Sequence, residues 1–186
     1  MKKLATEEIL RLSITEFKEA EKIPLVIVLD NIRSQHNIGS VFRTADAFRV
    51  EGVHLCGITA MPPNREIHKT ALGSTESVNW KYFDKTADSI SGLKEDGYTI
   101  VAVEQAAGSI MIDQYTPDPG KKYALVFGNE VHGIEDDIMN SSDICLEIPQ
   151  AGTKHSLNIA VSAGILIWEY FKKMNGISMV IKQPEK

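Results

Sequence analysis

Cysteine is scarce in this chain of 186 residues: Cys56 and Cys145 both lie inside apolar runs, without a CxxC or Cys/His companion spacing. That argues against a disulfide scaffold and a structural zinc site, and for a reducing compartment. Positive charge is not in excess, since 20 Lys and Arg face 25 Asp and Glu for a net charge of −5. A binder that coats nucleic acid through bulk positive charge is thereby disfavoured, while a local basic patch is not. Long hydrophobic runs are missing too. The longest uncharged stretch, 155–168, is too short to cross a bilayer and carries Ser156, Asn158 and Ser162. The amino terminus opens Met1-Lys2-Lys3 but turns acidic at Glu7 and Glu8 before any apolar segment begins, unlike a secretory signal. The expectation is a soluble, cytoplasmic protein with no membrane partner. No GxxxxGK[ST] occurs, and no GxGxxG follows the first strand-like run, which disfavours a P-loop NTPase and a standard Rossmann site. Repeats, low-complexity tracts and metal-ligand spacings of His, Cys or carboxylates are likewise lacking.

What remains is an ordinary globular composition, 43% hydrophobic and 24% charged. A chain of this length fits one domain and buries roughly two-thirds of its unfolded surface. Residues 4–21 place Leu4, Ile9, Leu12, Ile14 and Phe17 among charges at roughly helical spacing, with Thr6 as a cap and Pro24 at the exit. This predicts an amino-terminal helix or arm over 1–23, a domain over 24–174 and a loose tail over 175–186. From Pro24 onward, β-rich runs at 25–29, 53–58, 78–83, 98–103, 123–127 and 144–148 alternate with helix-like segments near 38–48, 65–72, 86–96, 134–141 and 157–173. The alternation predicts an α/β fold with a mostly parallel sheet. Runs such as Leu25-Val26-Ile27-Val28-Leu29 are apolar without alternation, as in a sheet covered by helices on both faces. The last helix is apolar nearly all round, so it is expected to be buried or to form part of a subunit interface.

In such sheets ligands sit beyond the carboxyl ends of the strands, so the loops there are the candidates for chemistry. The first runs from Asp30 to Arg43, with Asn37 as a candidate N-cap and Ile38, Phe42, Ala45 and Phe48 as an inward face. Gly39 and Arg43 share a helix face, and the glycine leaves space beside the guanidinium. By spacing alone the segment also reads as a capped helix with a surface arginine. The second, Phe127-Gly128-Asn129-Glu130-Val131-His132-Gly133, is a tight loop whose backbone can recognise an adenine-like edge, or a turn whose Glu130 stabilises a helix start. The third, from Ile148 through Gly152 to Asn158, enters the last helix at Ser156 or Leu157. Asn158, in the first turn of an apolar helix, needs partners from a ligand or a facing loop.

In this order, Asn37-x-Gly39-x-x-x-Arg43 with Thr44 to Phe48, then Phe127-Gly128-Asn129-Glu130, then Ile148-Pro149 with Ser156-Leu157-Asn158, resemble the three motifs of the SpoU/TrmH branch of the SPOUT RNA methyltransferases. The likeness runs from about Pro24 to Met174. It implies a sheet whose carboxyl-terminal part is threaded into a trefoil knot, an obligate homodimer, S-adenosylmethionine held by the second and third loops, and methylation of a ribose 2′-hydroxyl in RNA. Carried over by position, Asn37, Arg43, Glu130, Ser156 and Asn158 line the reaction centre. Gly128, Ile148 and Leu157 contact the cofactor, and Val103 and Glu104 close its other side. Two positions depart from the family pattern, Val131 after the glutamate and His155 before the serine.

Transfer of a methyl group from a sulfonium to an alcohol needs in-line alignment and a place for the proton. A guanidinium keeps its proton near neutral pH. Arg43 is therefore expected to stabilise the developing alkoxide and hold a phosphate, with Glu130 orienting it and Ser156 and Asn158 holding the ribose. Arg33, His36, Arg65, His68, Lys69, Lys154 and His155 are the candidate RNA contacts, each also readable as a solvated charge, whereas His54 reads as structural and His132 is open. The segment His68-Lys69-Thr70-Ala71-Leu72-Gly73 resembles enzymes acting on a guanosine of the tRNA D-loop, with a guanosine of 23S rRNA as the alternative substrate. A non-catalytic RNA- or S-adenosylmethionine-binding module and a flavodoxin-like small-molecule binder are the competing classes. No metal is expected.

Overall fold

Seven parallel strands organise the molecule, and a computed structural model describes residues 2, 3, 5, 11–154 and 156–174. The strands are β1 (Ile23–Asp30), β2 (Val50–Cys56), β3 (Trp80–Phe83), β4 (Tyr98–Val103), β5 (Ile110–Met111), β6 (Lys122–Phe127) and β7 (Ile144–Glu147). They lie side by side in the order β3-β2-β1-β6-β4-β7-β5, parallel at every pairing. The helices are α1 (Ile14–Glu19), α2 (Gln35–Ala47), α3 (Arg65–Ala71), α4 (Ser74–Ser77), α5 (Thr86–Glu95), α6 (Asp136–Ser141) and α7 (Ile159–Lys173).

The pleat explains the unbroken apolar runs. Successive side chains of a strand point to opposite faces. Leu25, Ile27 and Leu29 of β1, with Tyr123, Leu125 and Phe127 of β6, enter a core shared with α2, α3 and α7. Val26, Val28, Ala124 and Val126, from the same two strands, enter a second core against Ile90 and Leu93 of α5 and Ile138 of α6. Larger side chains thus fill the core under α2, α3 and α7, and smaller ones line the face under α5 and α6. Each fully buried Leu or Ile contributes about 1.5–3 kcal/mol relative to exposure.

Several boundaries differ from the sequence expectation. Helix α1 starts at Ile14, where Ser13 and Glu16 form a reciprocal capping box. Thr6, the expected cap, lies outside the described residues, as does the tail beyond Met174. Phe17 of α1 is buried in the first core. β3 begins at Trp80 because Val78 is the C-cap of the short α4, and the two-residue β5 at the sheet edge was not foreseen. Ser34, not Asn37, caps α2, its hydroxyl accepting from the Asn37 N–H. Asn158, not Ser156, caps α7. Gly39 has a different use from the expected one: a Cβ there would lie 2.1 Å from Thr70 Oγ1 and 2.3 Å from the Ile67 carbonyl, so its missing side chain admits α3 rather than a ligand.

Helix α7 is not buried all round. It buries Ile159, Ala163, Leu166, Ile167, Tyr170 and Phe171, while Val161 and Trp168 remain 50% and 43% exposed.

Candidate active site

Chain order reverses between β1 and its neighbour β6, and ligands of open parallel sheets collect beyond the strand ends at such a reversal. A cavity of about 620 Å³ opens beside that reversal, beyond the ends of β6, β4 and β7, walled by the segments that leave these strands and by the start of α7. Asn37, Glu130, Ser156 and Asn158 reach it, and so do Val103, Glu104, Gly128, Ile148 and Leu157. Three loops far apart in sequence therefore converge on one space.

Glycine geometry makes the β6 loop possible. Asn129 and Gly133 exchange backbone hydrogen bonds of 3.0 and 2.9 Å, closing a tight loop with Glu130 at its tip. A Cβ at Gly128 would fall 2.3 Å from the Gly133 carbonyl carbon, and Gly133 itself is left-handed at φ 69°. Packed directly against this loop, Glu104 accepts from the Gln105 N–H at 2.9 Å and from the Ile134 N–H at 3.3 Å, which turns its carboxylate along the wall.

A chain of amides joins the three loops. Asn158 caps α7 through Oδ1, which accepts from the Ala160 N–H at 2.9 Å, and its Nδ2 donates to Asn37 Oδ1 at 3.1 Å. Asn37 in turn donates to Glu130 Oε1 at 3.4 Å. Glu130 also accepts the backbone N–H groups of Arg33 at 3.0 Å and Ser34 at 3.1 Å. Partial burial works against its charge, yet the hydrogen bonds from Arg33, its own backbone, Ser34 and Asn37 prevail and hold the carboxyl below the usual range. Glu130 is thus an ionised group fixed at the mouth of α2, where orphan N–H groups favour an anion.

Arg43 stands apart from this chain. Six residues beyond Asn37 on α2, it points about 120° away from it, is exposed, and does not line the cavity. The expected Glu130–Arg43 contact is absent, because Glu130 is occupied by the loop that precedes α2. Of the candidate RNA contacts, Arg33, His36, Arg65, His68, Lys69 and Lys154 are exposed and lie outside the cavity, and His155 lies outside the described residues. His36 Nε2 is 3.1 Å from Glu66 and Lys69 Nζ 2.7 Å from it, so α2 and α3 present these bases on one surface. His132 lines the cavity, and His54 is buried with Nδ1 2.8 Å from Ser89 Oγ.

Gln105 and Ser162 also line the cavity and had not been singled out from the sequence. Ser162 could have been found, since it is four residues beyond Asn158 and hence on the same helix face. Gln105 carries no signal of its own beyond following Glu104 at the end of β4. Among the described residues no cluster of His, Cys, Asp and Glu could hold a metal ion, and no helix is long and apolar enough to cross a membrane.

A parallel sheet with a cavity beyond its strand ends, walled by a Gly-Asn-Glu loop and a Ser-Leu-Asn helix start, is the arrangement that the likeness to the SpoU/TrmH enzymes implies. The chain belongs to the SpoU rRNA methylase family, whose model matches residues 24–168. Among proteins similar to it, one from Staphylococcus saprophyticus, assigned to the TrmH family of tRNA/rRNA methyltransferases, is 30% identical over 164 residues, which is 88% of this chain and 65% of that protein. The AdoMet-bound rRNA methyltransferase of Sinorhizobium meliloti superposes with a TM-score of 0.75 at 29% identity, covering 84% of this chain and 59% of the other. The TrmH/SpoU tRNA modifying enzyme of A. aeolicus does so with a TM-score of 0.77 at 25% identity, covering 89% and 84%. The chain spans 65% of the length of the Staphylococcus saprophyticus relative.

Proposed function

We propose that this chain is an S-adenosylmethionine-dependent RNA methyltransferase acting on a ribose 2′-hydroxyl, with a guanosine of the tRNA D-loop as substrate. The observation that carries the reading is the convergence of the three motif loops on one cavity. Its 620 Å³ suits a nucleoside-sized ligand, and its wall has the mixed character such a ligand needs. Val103, Ile148 and Leu157 offer apolar surface, the loop after Gly128 offers backbone groups to an adenine edge, and Glu104 offers a carboxylate to hydroxyls or an ammonium. S-adenosylmethionine, when bound, supplies an electrophilic methyl group.

The chain's own residues then have separable tasks. Ser156 and Asn158 hold the ribose at the start of α7. Glu130 and Asn37 keep that amide in place, because each spends its hydrogen bonds on the next member of the chain. Arg43, on the exposed face of α2 with His36, meets an RNA phosphate from outside the cavity and fixes the backbone beside the ribose. The proton leaves to phosphate or water. Arg33, Arg65, His68, Lys69, Lys154 and His155 extend the RNA contact, in a cytoplasmic setting.

The reading includes a homodimer and a trefoil knot formed by the carboxyl-terminal segments, both of which the family likeness implies. The exposed Val161 and Trp168 on α7, next to Leu157 at the cavity rim, support a second copy of the chain as the cover of this face. Val161→Glu would convert the dimer to monomer in analytical ultracentrifugation at micromolar concentration, and an unchanged dimer would remove this face from the interface.

Labelled-methyl transfer to total tRNA and to ribosomal RNA, followed by mapping of the modified nucleoside, tests the activity. A 2′-O-methylguanosine in the D-loop is expected. Modification of 23S rRNA would replace the tRNA assignment, an outcome in line with the rRNA methyltransferase of Sinorhizobium meliloti, and methylation of a base would overturn the ribose assignment.

A further inference from the structure

The loop that follows β1 turns on Asn31, which is left-handed at φ 56°. Asparagine tolerates that conformation better than most residues. Every polar group of Asn31 is used. Its N–H donates to the Cys56 carbonyl at 3.2 Å and its Nδ2 to Asp30 Oδ1 at 2.9 Å. Its Oδ1 accepts from the Ile58 N–H at 3.1 Å. A Cβ at Gly57 would lie 2.1 Å from that Oδ1, so the loop after β2 is shaped around this side chain. Thr59 adds a brace, donating to the Leu29 carbonyl at 3.0 Å and accepting from the Ile32 N–H at 2.9 Å.

The remaining group, the Asn31 carbonyl, accepts from Asn129 Nδ2 at 2.7 Å. Asn129 sits at the base of the Glu130 loop, and its Oδ1 accepts from the Val131 N–H at 2.9 Å and the His132 N–H at 3.2 Å. One amide therefore folds the β6 loop with its oxygen and ties that loop to the β1 turn with its nitrogen.

We propose that the Asn31–Asn129 pair is a positioning clamp that fixes Glu130 against the start of α2, and through Glu130 sets Asn37 and Asn158. The inference rests on the methyltransferase reading for its kinetic consequence and on the geometry alone for its structural one. Asn31 does not line the cavity, so it acts through the groups it holds. Glu130 spans two loops with four hydrogen-bonding partners, counting its own backbone, and a carboxylate so placed needs the distance between those loops held within a few tenths of an ångström.

Asn129→Asp keeps an oxygen for the Val131 and His132 N–H groups and replaces the nitrogen donor by an acceptor that repels the Asn31 carbonyl. Single-turnover methyl transfer at saturating RNA and S-adenosylmethionine is expected to fall by about tenfold to a hundredfold, with KM for RNA within about threefold of the parent. Amide exchange at Arg33 and Ser34, measured without any substrate, is expected to accelerate by about tenfold as Glu130 loosens. Parent-like exchange at both amides would overturn the clamp, whatever the activity. A loss confined to S-adenosylmethionine affinity would also overturn it, by making Asn129 a cofactor contact. If the parent methylates no RNA, the methyltransferase reading fails while the exchange arm still decides the clamp. Asn31→Gly, which keeps the left-handed turn and the carbonyl but frees the loop at Ile58, gives the same readouts with the same expected direction should Asn129→Asp not fold.

Discussion

Two hollows of similar size mark this molecule, one of about 620 Å³ beyond the carboxyl ends of β4, β6 and β7, and one of about 540 Å³ between the β2–β3 edge and α5. They differ in what their polar groups do. In the first, the wall is loop backbone, and side chains from three distant segments pass hydrogen bonds from Asn158 to Asn37 to Glu130. In the second, the wall is strand and helix surface, and the polar groups satisfy one another. His54 turns Nδ1 to Ser89 and packs tilted on Phe83, ring centroids 4.8 Å apart, and burial aided by Lys81 pushes its pKa down to about 4, keeping it neutral. Volume does not separate a site from a packing gap. The separation comes from backbone held open by glycine and from an ionised group fixed where a ligand would meet it.

The largest effect should come from closing the first hollow. Gly128→Ala sets a methyl group 2.3 Å from the Gly133 carbonyl carbon, so the β6 loop must open. S-adenosylmethionine affinity should fall by about 100-fold or more in calorimetric titration, equivalent to roughly 2.7 kcal/mol. Parent-like affinity would show that the loop does not hold the cofactor. Next comes Arg43→Lys, which keeps the charge and loses the fork. It should cost on the order of 100-fold in single-turnover rate while leaving cofactor affinity unchanged, because Arg43 lies outside the cavity. Parent-like turnover would end its assignment to the RNA phosphate.

The same contrast explains how far the sequence could be read. Apolar runs such as 25–29 announced a sheet covered on both sides, and alternation announced its parallel strands, because burial and crossover connections act on composition directly. The three loops were legible through residue types that backbone geometry demands, namely glycines at 128 and 133 and asparagines at helix starts. The partners of those residues were not. Asn37 looked like a cap and instead bridges Asn158 and Glu130, and Gly39 looked like space beside the Arg43 guanidinium and instead admits α3. Such pairings span up to 121 residues in sequence, and no local rule fixes them.

The second hollow sharpens the comparison most gently, through pH. A histidine of ordinary value 6.5 when unfolded and about 4 when folded binds its proton more readily in the unfolded chain. Its stabilising contribution is therefore complete above pH 6.5 and is lost as pH falls toward 4. Between pH 7.5 and 5 the loss from this one group is about 2 kcal/mol, or about 4–8 °C in melting temperature for a chain of this size. His54→Phe removes the proton and fills the apolar side of the gap against Phe83, so that increment should vanish from the pH dependence of stability in urea melts. Methyl transfer at pH 7.5 should be unchanged, since His54 touches none of the groups in the first hollow. A large loss of turnover in a variant that melts like the parent would mean that the two hollows are coupled through β1 and β2, and that the second is more than a gap in the packing.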